Sequence, residues 1–213
     1  MRILSLSLIL TAFMALSVSS QEASTTPGVP QEGGLISPDG KEELMAPLPF
    51  QEKKRNVGGS DGLGLCVFTS IEYASRWSNE RALFELQKFM RTQPGGGYPD
   101  KVDNILLKFA PSVQYIQSTN SDLGLLREVL ASGRMAAVTY CGRDLHYGGQ
   151  QVPHMVDLVH LSDKWAAVSD NNFPGDNQIM WMSIPEFESR WKGYGSGWAV
   201  ILLNPGPPPV PRE

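Results

Sequence analysis

Between residues 66 and 131 apolar side chains recur every three to four positions; between 135 and 203 they crowd into short runs. Val67, Ile71 and Ala74 form one stripe from Cys66 to Trp77, the spacing of an amphipathic helix that opens at Cys66. Leu83, Leu86, Phe89 and Met90 place a second helix within Glu80 to Thr92, ended by Pro94-Gly95-Gly96-Gly97. Lys101 to Phe109 predicts a third. Ser121 caps a fourth over Leu123 to Ala131, with Gly133 as its stop signal. After that the period shortens. Met135 to Tyr140, Met155 to His160, Trp165 to Ser169, Gln178 to Met182 and Trp198 to Leu203 are rich in β-branched and aromatic residues and predict strands. Asp163-Lys164 makes a tight hairpin turn between the second and third. Ser183-Ile184-Pro185-Glu186 is a capping box with proline in the first turn, so a helix starts there and runs through Trp191. Helices followed by an antiparallel sheet imply an α+β domain over roughly residues 58–204.

The flanks read differently. Arg2 precedes an apolar run from Ile3 to Val18, followed by Ser19-Ser20. A positive start, a short apolar core and small residues at the cut describe a signal peptide over residues 1–20. The run is shorter than the roughly 20 residues of a spanning helix, so no stable membrane span is expected after cleavage. Residues 21–57, with Thr26-Pro27-Gly28 and Pro38-Asp39-Gly40, read as a flexible linker. The proline-rich stretch at 205–213 reads as a disordered tail. These signals place the protein in the secreted or periplasmic space.

Charge excludes one class of partner. Of 213 residues, 18 are Lys or Arg and 22 are Asp or Glu, for a net charge of −4. Lys53-Lys54-Arg55 is short and isolated, so a nucleic-acid footprint is not expected. No phosphate-cradling loop is present, and no cofactor is expected. No metal is expected either. His154 and His160 are separated by about 20 Å along a strand at ~3.3 Å per residue, and Cys141 with His146 has no recognised ligand spacing.

The chemistry centres on Cys66. Gly58-Gly59-Ser60-Asp61-Gly62-Leu63-Gly64-Leu65 precedes it, a stretch whose backbone turns sharply and leaves amides free around the thiol. The N-terminus of the following helix favours thiolate over thiol. His154 begins a strand after Gly148-Gly149-Gln150-Gln151-Val152-Pro153 and is the base candidate. The strand returning from it ends in Asp170-Asn171-Asn172, any of which can accept a hydrogen bond from an imidazole and orient it. Nucleophile, base and orienter thus follow one another in chain order.

This order resembles the papain-like cysteine peptidases, and more closely their bacteriocin-leader-peptidase-like branch. The resemblance covers roughly residues 56–204. It includes Gly133-Arg134-Met135-Ala136-Ala137-Val138, similar to a Gly-x-Pro-Val strand, and Gly193-Tyr194-Gly195-Ser196-Gly197-Trp198, similar to the turn that closes the papain sheet. It implies a papain-like fold with the nucleophile at the start of the central helix. It also implies a thiol peptidase using Cys66, His154 and, about sixteen residues on, Asp170; a bulge of one or two residues would put Asn171 or Asn172 there instead. The oxyanion glutamine of these families is replaced by Ser60, a shorter donor, and Asp61 beside it would repel an oxyanion. The expected partner is a peptide or protein substrate in the envelope or outside the cell.

Two other readings stand beside the enzyme. One is an inactive papain-like binding module, favoured by the missing glutamine. The other is a domain stapled by a Cys66–Cys141 disulfide, which an oxidising compartment allows. The five tryptophans are expected in the core or in groove walls, and Asp144 and Asp157 as solvated or loop-capping groups.

Overall fold

The computed structural model describes residues 31–142, 147, 150–174 and 179–207. The predicted signal peptide, His146, Asp144 and most of the proline-rich tail lie outside the described residues. Helix α1 (Cys66–Trp77) opens at the expected cysteine, and Val67 through Ser75 are all buried, so it is enclosed on every side. α2 (Leu86–Met90), α3 (Pro99–Phe109) and α4 (Leu123–Ala131) follow it, and α5 (Ile184–Lys192) comes late in the chain. Ser183 caps α5 by accepting from the Glu186 amide, as the capping box predicts.

Seven strands form one antiparallel sheet in the order β1-β6-β5-β4-β3-β7-β2. They are β1 (Gln31–Gly33), β2 (Tyr115–Ser118), β3 (Ala136–Gly142), β4 (Val152–Leu161), β5 (Trp165–Ser169), β6 (Ile179–Ser183) and β7 (Ala199–Leu202). The class is α+β with an antiparallel sheet. α1 lies against β4, β3 and β7, and α5 against β3. Phe68 and Ile71 of α1 and Val138, Val156, Leu158 and Val200 of the sheet belong to the core, each at most 1% exposed.

Several local expectations change. The second predicted helix is broken at Glu85, whose φ of 69° starts α2 afresh after a 3₁₀ turn at Arg81–Leu83. The cause is long-range: the buried Glu72 carboxylate of α1 accepts from the Glu85 and Gln87 amides and caps α2 from outside. Asp122, not Ser121, caps α4, accepting from the Leu125 amide; Ser121 takes φ 55° and donates to the Ser196 carbonyl. Strands β1 and β2 were not expected.

The linker reading through residue 57 fails for the described part. Leu44, Ala46 and Leu48 are buried in the core. The Ala46 amide donates to the Val159 carbonyl, Glu42 pairs with His160 at 2.8 Å, and Trp181 donates to the Gly34 carbonyl. Turn-forming residues in this stretch shape a strap across β4 and β6; they do not loosen it.

Candidate active site

Two glycine-rich turns position the thiol. Residues 58–64 close on themselves, the Gly59 amide donating to the Leu63 carbonyl and Gly62 adopting φ 82°. They then meet residues 93–97 backbone to backbone. The Ser60 amide donates to the Gln93 carbonyl and the Gly96 amide to the Gly64 carbonyl, at 2.9 and 2.8 Å. A β-carbon on Gly95 would sit 1.9 Å from the Leu63 oxygen, and one on Gly97 2.4 Å from Val67 Cγ2. The second glycine run therefore walls the approach to Cys66 as well as ending a helix. Asp61 belongs to this wall: its Oδ1 accepts from the Gly95 and Leu63 amides, at 2.7 and 3.1 Å. These donors hold its carboxyl below the usual carboxylate range. It is a loop lock, not the free charge expected beside an oxyanion.

Cys66 opens α1 half-buried, and its interaction partner is His154, third residue of β4. Burial pushes the thiol up, but the His154 ring and the Met155 and Val67 amides outweigh it, and the thiol lies below its ordinary value. The ring is oriented from behind: His154 Nε2 lies 2.8 Å from Asp170 Oδ1, which leaves Nδ1 for the sulfur. Burial disfavours the imidazolium, yet Asp170 and Cys66 together raise it to about 10. Asp170 pays for its burial with partners on both oxygens. Oδ1 also accepts from the Asn172 amide at 2.8 Å, and Oδ2 from the Tyr147 hydroxyl at 2.5 Å. His154 outweighs desolvation and keeps this carboxyl lowered. The charges thus favour thiolate, imidazolium and carboxylate in a row.

The three candidates for orienter thus separate. Asp170 faces the imidazole. Asn171 does not: it turns under α1, its Nδ2 donating to the Cys66 carbonyl, Ser70 Oγ and the Met155 carbonyl at 3.2, 2.9 and 3.1 Å. Asn172 ties the end of β5 to the loop before the thiol, because its Oδ1 accepts from Asn56 Nδ2 while Asn56 Oδ1 accepts from the Leu65 amide. Asn56 and Tyr147 were missed from sequence; neither lies in a recognisable pattern, and both matter only through folding. Ser60 is exposed on the loop rim.

Cys66 and Cys141 are both free, so the disulfide staple is not formed. Cys141 sits opposite Pro153 in the β3–β4 ladder and points toward Gly193 at the end of α5, whereas Cys66 turns to His154. Asp157 corrects another expectation, since it is completely buried and not solvated. A cavity of about 1390 Å³ contains none of these residues; it lies at the far end of α1 between Arg76, Trp77, Leu48 and Gly133. Among the described residues no cluster of three metal-ligating side chains occurs.

No protein-family model matches the chain, and no curated protein does. The structure is similar to the crystal structure of a candidate C39-like peptidase from Bacillus anthracis. The TM-score is 0.52 and the identity 12%, over 77% of this chain and 98% of that one. The fold is similar to that of this C39-like peptidase. At this identity the likeness speaks for the arrangement of helices and sheet.

Proposed function

We propose that the protein is an exported cysteine peptidase, or a closely related thiol acyl hydrolase, of the bacteriocin-leader-peptidase-like branch. The observation that supports it is the Cys66–His154–Asp170 row, in which a lowered thiol meets a raised imidazole whose other nitrogen is bound to a carboxylate. Packing alone does not require three ionisable groups to be brought together at such burial.

In this reading the Cys66 thiolate attacks the carbonyl carbon of a peptide bond. The oxygen takes the negative charge and is met by the Cys66 amide, which as the first of α1 has no acceptor within the helix. The Ser60 hydroxyl is the side-chain donor available on the preceding loop. His154 passes its proton to the leaving amine, which departs and leaves a thioester on Cys66. A water then gives a proton to His154 and attacks the thioester, releasing the acid and restoring the thiolate. Asp170 stays ionised throughout and keeps the ring in place. Asp61 weighs less toward an inactive binding module than its sequence position suggests, because its carboxylate is bound to backbone amides. The apolar run at Ile3 to Val18 supports export, with the substrate a peptide or protein outside the cytoplasm.

The test is iodoacetamide alkylation of residues 21–213 against pH, with Cys66→Ser to assign the label. An enzyme shows fast labelling of Cys66 with an apparent pKa well below about 8.5, and His154→Ala abolishes the shift. An ordinary thiol profile indifferent to His154 overturns the reading.

A further inference from the structure

The glycine wall beside the thiol is held by a cation that the proposed chemistry leaves unused. Lys101 stands in the first turn of α3, where the helix dipole opposes positive charge. Desolvation also works against its ammonium and holds it below the ordinary value. Three contacts offset both costs. Nζ donates to the carbonyls of Pro94, Gly95 and Gly96 at 2.7, 2.5 and 3.0 Å. An ammonium carries three protons, and all three are engaged by consecutive peptide groups. Nζ also lies 5.8 Å from the ring centroid of Phe68, a buried residue in the first turn of α1.

The run that Lys101 grips has little stiffness of its own. Glycine loses more conformational freedom on ordering than any other residue, and here three stand in succession, with Gly96 at φ 67°. Gly95 is held on both sides, its amide by the Asp61 carboxylate at 2.7 Å and its carbonyl by Lys101. From there contacts continue to the thiol. The Gly96 amide donates to the Gly64 carbonyl, and Gly97 lies against Val67, the residue after Cys66.

We propose that Lys101 is a positioning residue for the peptide substrate, fixing residues 93–97 in the shape that lets a peptide backbone lie beside Cys66. The inference rests on the peptidase reading. The hydrogen bonds of Lys101 go to the wall and not to Cys66, His154 or Asp170. Its loss introduces no clash, so it should spare the reactivity of the thiol and weaken the seating of a peptide. Methionine keeps much of the stem and removes the charge and all three donors. Arginine keeps the charge, but its flat fork does not converge on three carbonyls as an ammonium does.

Two reagents acting on residues 21–213 separate thiol from wall. Iodoacetamide reads the thiol alone. Tri-alanyl chloromethyl ketone presents a peptide backbone with small side chains, and its saturation kinetics give a binding constant KI apart from the maximal alkylation rate. Lys101→Met should raise KI about tenfold and keep the iodoacetamide pH profile and the maximal rate within about twofold of wild type. Lys101→Arg should fall between. An unchanged KI overturns the positioning role and leaves the peptidase reading intact. Iodoacetamide labelling slowed as much as labelling by the peptide reagent also overturns it, because the lysine then serves the whole site. If the methionine variant does not fold, Lys101→Gln is read by the same criteria. Wild-type labelling that does not saturate overturns the positioning role alone. An ordinary thiol profile in the wild type overturns the peptidase reading with it.

Discussion

On the thiol side of the site two glycine-rich turns meet backbone to backbone; on the imidazole side ionised and polar side chains hold one another. Cys66 is placed by amides and carbonyls of residues 58–64 and 93–97, where the contacts at Gly59, Gly95 and Gly97 leave no room for a β-carbon. His154 is placed by Asp170, itself bound by Tyr147 and the Asn172 amide. Steric fit does not titrate, whereas a chain of charges does. The thiol side should therefore answer to volume and the imidazole side to charge and pH.

The harshest break of the comparison is Gly95→Ala. Its β-carbon would collide with the Leu63 carbonyl, and backbone cannot yield as a side-chain tip can. A loss of about 3 kcal/mol in chemical denaturation is expected, with Cys66 labelling slowed. His154→Ala comes next: with the thiol back near 8.5, only about 1% is thiolate at pH 6.5, so labelling there falls by up to about 100-fold. It also leaves Asp170 buried without its cation.

Asp170→Asn is milder and more telling, because an amide still accepts from the ring but carries no charge. His154 is raised, so its share of stability is full below its unfolded value of 6.5 and is lost as pH rises through about 10. Without the Asp170 charge that loss should begin at lower pH, and a series of melting temperatures against pH reads it. Asp170 itself is lowered, so its share is present above 3.8 and fades as pH falls through its folded value. The acid limb should therefore flatten in the same variant. An unchanged profile would mean that charge is not what orients the ring.

The smallest effect is expected at Asp61→Asn. Its Oδ1 is held by two backbone amides, and an asparagine oxygen accepts from the same donors. Cys66 labelling should stay within about twofold of wild type. A loss as large as that of Asp170→Asn would erase the contrast between the two sides.

Much of this frame is legible in the sequence because it is local. The helix at Cys66, the capping box at Ser183 and the turn at Asp163-Lys164 need only near neighbours, and period alone finds five strands to within a few residues. The orienter was left open among Asp170, Asn171 and Asn172 because consecutive residues past a strand end differ only in direction, which the β4–β5 register and α1 decide. A lone acid inside Met155-Val156-Asp157-Leu158-Val159 was the available signal for a buried carboxyl, since such a run has no solvent face.

By itself the sequence determined where secondary structure starts and stops, and which residue types follow one another from thiol to imidazole to carboxylate. Tertiary structure alone decided that the strap from Gly33 onward is packed, that Glu72 caps α2 from α1, and that Asn171 serves the helix while Asp170 serves the ring. The reason is range. Caps and hydrophobic periods act over a few residues, whereas these contacts join groups up to 147 positions apart and exist only once the sheet has brought them together.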